Sequence, residues 1–168
     1  IQTAVIGGPL ASVIEEVVKD HAIDLIVMGT RGASGLEEFL VGSNTEKIIR
    51  RAQCPVLAVP IAVKAFSKIV FPTTLKDDQL KAFHTLASLQ GIFNGDISLL
   101  YLNNPAHFEN DEAIEAQKNQ LVAMSGLKNA TLYVSKQNVF NEEDAILSFA
   151  HEHNADLIVM ATHQRRGL

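Results

Sequence analysis

The stretch Met28-Gly29-Thr30-Arg31-Gly32-Ala33-Ser34-Gly35-Leu36-Glu37-Glu38-Phe39-Leu40-Val41-Gly42-Ser43 decides how this chain reads. The apolar run Asp24-Leu25-Ile26-Val27-Met28 enters it and reads as a buried strand, and a helical segment from Ser43 to Ala52 leaves it. Gly29, Gly32, Gly35 and Gly42 lie along it, with few β-branched residues. A strand that opens into a glycine-rich loop and then a helix N-terminus is a common way to hold a phosphate. Glycine lets backbone N–H groups approach the anion, and the first helical turn offers unpaired donors and a positive dipole end.

Working outward, residues 1–6 read as a strand and Gly7-Gly8-Pro9 as punctuation, with proline suited to a helix start. Val13, Ile14, Val17 and Val18 recur at helical spacing between Leu10 and His21. Ser43-Asn44-Thr45-Glu46 has the capping-box pattern, and Ile48, Ile49 and Ala52 give the helix after it an inward face. Pro55 to Pro60 is a short strand bracketed by prolines, suited to an edge or interface. This rhythm is that of a parallel sheet with crossover helices, an α/β fold.

Residues 61–66 read as a linker, and a second pattern begins. Strands are expected at 68–71, 96–102, 130–134 and 156–160, with a turn at Pro72-Thr73-Thr74. Helices are expected at 77–92, 110–125 and 141–153, the first with Leu80, Phe83, His84, Leu86, Ala87 and Leu89 towards the core. Asn141 is placed to cap the last, with Asp144 at its third position.

The two patterns are copies of one unit. His21 to Leu36 aligns with His153 to Leu168 at an offset of 132, and nine of the sixteen residues are identical. Two buried strands could share Leu-Ile-Val by chance, but not also the flanking His, Asp, Thr and Gly. Residues 1–62 then read as the C-terminal part of a first domain and 63–168 as the N-terminal part of a second. The expectation is a piece of a longer tandem protein, or copies completed by another chain.

The whole sequence has 168 residues, 47% hydrophobic and 20% charged, a globular composition. With a net charge of −5 and no long block of Lys or Arg, a dedicated nucleic-acid surface is not expected. Arg50-Arg51 and Arg165-Arg166 read as solvated faces. The single cysteine, Cys54, rules out an intrachain disulfide and reads as a small core residue, which fits a reducing compartment. No apolar run approaches the roughly 20 residues that cross a bilayer, and no signal peptide is visible. A cytoplasmic setting and no membrane partner are therefore expected.

From Asp24 through Gly32, Gly42-Ser43-Asn44-Thr45-Glu46-Lys47 and Cys54 to Val59, the chain resembles the universal stress protein (UspA-like) family. That family's motif is Gly, two residues, Gly, nine residues, Gly and Ser or Thr; Gly29, Gly32, Gly42 and Ser43 match it. The resemblance implies a five-stranded parallel sheet with helices on both faces, a Rossmann-like adenine-nucleotide-binding domain. It implies Gly29 and Gly32 against ribose and phosphates. Gly42, Ser43 and Asn44 would lie on the phosphates, and Met28 and Arg31 beside the sugar and base. ATP or another adenine nucleotide is the implied ligand, with no metal beyond a nucleotide-associated Mg. The implied partner is a second copy or the other domain, as a homodimer or pseudo-dimer through the 55–60 strand. The second copy departs from the pattern. Thr74 replaces the acidic residue expected after the first strand, and Ala161 and Gln164 stand for the first two glycines, so no nucleotide site, or only a poor one, is expected there.

No P-loop sequence is present. His21 and His153 occupy equivalent helix ends, where a C-terminal dipole favours them. His151, His153 and His163 lack the neighbours that a metal site needs. Asp111-Glu112 and Glu142-Glu143-Asp144 sit at helix starts, and no serine has a visible His–Asp partnership. Two readings remain. One is a nucleotide-binding regulatory module, non-enzymatic or at most a slow ATP hydrolase. The other is a structural or protein-interaction module that associates through Val56–Val59.

Overall fold

The structure, a computed structural model, describes residues 1–29, 43–59, 65–103, 108–135 and 141–161. It divides into two units, Ile1–Lys64 and Ala65–Leu168.

The first unit runs α1 (Leu10–Asp20), β1 (Ile26–Gly29), α2 (Ser43–Arg51) and β2 (Val56–Val59). β1 and β2 pair in parallel from Ile26↔Val56 to Gly29↔Val59. Ile26 and Ile48 are buried, and the Arg51 guanidinium forks onto the Glu15 carboxylate at 2.7 and 3.0 Å, tying α2 to α1. Residues 1–6 form no strand, against expectation, and Ile1, Val5 and Ile6 are exposed. A strand needs a neighbour, and the described strands of this unit, β1 and β2, pair with each other. An unpaired strand leaves its backbone groups without ladder partners.

The second unit runs β3 (Lys68–Thr73), a 3₁₀ turn (Asp77–Gln79), α3 (Leu80–Phe93), β4 (Asp96–Leu102), α4 (Asp111–Ser125), β5 (Ala130–Ser135), α5 (Glu142–Glu152) and β6 (Leu157–Ile158). Its four strands are parallel in the order β5-β4-β3-β6. The chain steps outward from β3 to β5, then crosses back to the far side of β3. Right-handed crossovers put the helix of that return on the opposite face.

Strand alternation divides the core accordingly. Ile69, Phe71, Ile97, Leu99 and Tyr101 pack with Phe83, Leu86, Ile114 and Leu121 of α3 and α4. Val70 and Leu100 pack with Ile146 of α5, with Tyr133, Phe149 and Ile158 around them. Each fully buried side chain of this size stabilises the fold by about 1.5–3 kcal/mol. Phe71 and Phe83 meet edge to face at 5.4 Å. His84 is exposed rather than turned to the core, because the buried face runs through Gln79, Phe83 and Leu86. At the start of β4, Gly95 leaves room for the Phe66 carbonyl, which would lie 2.8 Å from a Cβ there.

β3 extends through Pro72 and Thr73, where a turn was expected. The carbonyls of Lys68 and Val70 accept from Asp156 and Val159, so alternate residues of β3 face β6. Pro72 continues that series beyond the last β3–β6 pair, Val70↔Ile158, so its missing N–H breaks no ladder bond.

Asn141 caps α5 as expected, accepting from the Glu143 amide at 3.0 Å and donating to Asp144 at 2.9 Å. Asp111 and Glu112 occupy the first turn of α4. The ends of α1 and α5 share one geometry. The amides of His21 and His153 bond back to Val17 and Phe149, and the next residues, Ala22 and Asn154, are left-handed at φ 48° and 52°.

Candidate functional site

Open parallel sheets take ligands beyond the carboxyl ends of their strands. In the first unit this place is the C-terminal end of β1 facing the start of α2. Met28 is half-buried and Gly29 exposed, and Ser43 and Asn44 are the exposed first two residues of α2. Arg31, Gly32 and Gly42 lie outside the described residues. A Cβ on Gly29 would meet nothing within 4 Å, and its φ is not left-handed. Among the described residues, nothing packed against Gly29 excludes a side chain there.

Thr45 was not singled out in the sequence. It is 3% exposed, and its hydroxyl donates to the Gly29 carbonyl at 3.4 Å. The signal was there: Thr45 continues the Ile48, Ile49 and Ala52 face at helical spacing. Ser43 lies inside the helix rather than at its cap, which moves Glu46 one place beyond the capping-box position. Glu46 accordingly pairs with Arg50, through Nε at 3.1 Å and Nη2 at 2.9 Å, instead of holding the turn. That pairing offsets the one carboxylate in the first turn of α2.

The equivalent end of the second unit is built differently. Ala161 takes the place of Gly29 and puts a methyl group there. Thr74, in the place of the expected acid, is exposed just past β3. Behind it, the buried Gln79 carboxamide oxygen accepts from the Thr73 hydroxyl at 2.6 Å and the Thr74 amide at 3.0 Å. Thr73 in turn accepts from the Leu75 amide at 3.0 Å, and Leu75 is held left-handed at φ 54°, a costly conformation for a bulky residue.

His153 places Nδ1 2.9 Å from the Phe149 carbonyl, the helix-end role expected of it, and stacks on the Phe149 ring at 3.8 Å. Among the described residues no three His, Cys, Asp or Glu side chains gather as a metal site; His163 lies outside them. Cys54 is half-buried, and burial pushes its thiol up. A groove of about 520 Å³ runs beside α1 and α2 over Ile26 and Ile48. Among the described residues, Met28, Gly29, Ser43 and Asn44 do not line it. No helix among the described residues is long and apolar enough to cross a membrane.

Comparison with known proteins agrees with this architecture. A universal stress protein of Methanocaldococcus jannaschii is 48% identical over 59 residues, 35% of this chain and 35% of that protein. The universal stress protein YxiE of Bacillus subtilis is 40% identical over 58 residues, 34% of this chain and 39% of its own. The chain thus matches little more than a third of the length of these relatives. A crystal structure of a universal stress protein from Archaeoglobus fulgidus superposes with a TM-score of 0.65 at 18% identity, over 92% of this chain and 55% of that one. A crystal structure described as a putative universal stress protein from Pseudomonas aeruginosa gives 0.65 at 18%, over 97% and 60%. At such identities these two speak for the α/β fold alone. The model of the universal stress protein family matches residues 1–60 and again 65–168. With nearly every residue inside those two matches, the chain belongs to the universal stress protein family.

Proposed function

We propose that this chain is a regulatory module that binds an adenine nucleotide, ATP or a relative of it, through the glycine loop of its first unit. Gly29 carries the reading: among the described residues nothing lies against its backbone where a side chain would stand. The open end of β1 faces the first turn of a helix whose amides have no partners within the helix. Met28, Gly29, Arg31 and Gly32 would take the sugar side, and Gly42, Ser43 and Asn44 the phosphates. Any magnesium would arrive on those phosphates. The second unit binds no nucleotide, because Ala161, Thr74 and the Thr73–Gln79 bond occupy the corresponding places. The output is binding, accompanied at most by slow ATP hydrolysis.

Titration calorimetry of the chain with ATP tests this. One nucleotide per chain is expected. Gly29→Ala is expected to leave the melting temperature unchanged, since the added Cβ enters open space, while weakening ATP binding. Ser43→Arg is expected to abolish it. No heat with wild-type protein, or equal affinity in all three proteins, rejects the proposal.

A second reading is favoured by one observation: among the described residues, β2 has β1 as its strand neighbour on one edge and no described strand on the other. We propose that this edge joins a second copy or the equivalent edge of a second domain. The tandem arrangement of two domains is part of the same proposal.

A further inference from the structure

We propose that Thr45 is the positioning residue of the anion cradle: its buried hydroxyl fastens the first turn of α2 to the C-terminal end of β1. The inference rests on the nucleotide reading above and adds the residue that sets the cradle's geometry. Among the described residues of the first unit, Thr45 is the buried polar side chain. A hydroxyl in a helix commonly bonds to a carbonyl of its own helix. The Thr45 hydroxyl reaches the Gly29 carbonyl, 16 positions earlier, on a different element.

Packing alone does not call for that hydroxyl. Thr45 lies on the same helical face as the buried Ile48, where valine would fill the space without a polar group to satisfy. Both ends of the bond belong to the proposed site. Gly29 supplies the backbone end of β1, and the turn that contains Thr45 supplies amides without partners inside the helix. Gly29 is also registered against Val59 in the sheet, so the bond ties the helix start to a fixed strand end. A displacement of the helix by a fraction of an ångström spreads over several donors at once, and positioned donors lose their effect when misplaced.

Two substitutions in the whole chain test the role. Thr45→Val keeps the shape and removes the hydroxyl; Thr45→Ser keeps the hydroxyl and removes the methyl group. Calorimetry is run with ATP, adenosine and inorganic tripolyphosphate. With Thr45→Val, affinity for ATP and tripolyphosphate is expected to fall about threefold to tenfold, the scale of losing one hydrogen bond that holds the helix start. Adenosine binding is expected to stay unchanged, and Thr45→Ser to restore ATP binding to within about twofold of wild type. If Thr45→Val binds ATP like wild type, the positioning role falls and the nucleotide reading stands. The role also falls if ATP and adenosine weaken together and Thr45→Ser gives no rescue. If wild-type protein binds neither ATP nor tripolyphosphate, the nucleotide reading falls and takes this role with it.

Discussion

Asp156 shows how a single residue of the repeat has a structural rather than a chemical task. One oxygen of its carboxylate accepts from the Ser67 hydroxyl at 2.8 Å, the Lys68 amide at 2.9 Å and the Ser67 amide at 3.0 Å. Those bonds join the start of β6 to the start of β3. The Ser67 hydroxyl first, then the Lys68 amide, hold the carboxyl below its usual range. A carboxyl lowered in the folded state favours folding when ionised. Its contribution is complete above the unfolded value, about 3.9, and is lost as pH falls through the lower folded value. Asp156→Asn is therefore expected to melt below wild type at pH 7, with the gap closing as the pH drops under about 4. Thermal melts followed by circular dichroism across that range measure it; a gap that stays constant with pH contradicts the assignment. The donors lie 88 and 89 positions away, so local sequence revealed the aspartate as part of a repeat without revealing its partners.

At the level of elements, what separates a strong contact from a weak one is burial. The Gln79 oxygen serves the Thr73 hydroxyl and the Thr74 amide at the end of β3, and the bond to Thr73 is buried. Gln79→Ala strands both donors and is expected to cost about 1–3 kcal/mol of stability. The Glu15–Arg51 fork between α1 and α2 has comparable geometry, but 39% and 55% of its side-chain surface is exposed. Arg51→Ala is expected to cost under about 1 kcal/mol. Denaturant melts of the two variants rank them, and a larger loss in Arg51→Ala reverses the argument. The elements themselves were legible where a periodic signal met a cap. Residues 96–102 and the Asn141 cap read directly from the sequence. The one-residue shift of Ser43 into α2 did not, because the capping-box pattern fixes a helix start only to within a residue or two. That shift gave Glu46 to Arg50 and placed Thr45 on the buried face.

For the whole molecule, the parallel α/β architecture was readable from hydrophobic runs, since these are local patterns. The strand expected at 1–6 fails for the complementary reason: strand formation depends on a neighbour, and apolar alternation in Ile1 to Ile6 carries no information about one. The same dependence on neighbours bears on β2. In its parallel pairing, the Ile26 amide donates to the Pro55 carbonyl, so residues 55, 57 and 59 face β1. Val56 and Ala58 direct their backbone groups outward. A half-buried strand with no described strand beside its outward edge is a template for another strand. If β2 is the seam between copies, Ala58→Pro removes an outward donor without touching the bonds to β1. Sedimentation velocity is expected to show a concentration-dependent dimer for the wild-type chain and a dimer weakened at least about tenfold in Ala58→Pro, the effect of about 1.4 kcal/mol. Calorimetry on the same samples is expected to give unchanged ATP affinity, since Met28, Gly29, Ser43 and Asn44 lie on β1 and α2. A wild-type chain that stays monomeric at high concentration, or a dimer indifferent to proline at 58, removes β2 as the seam.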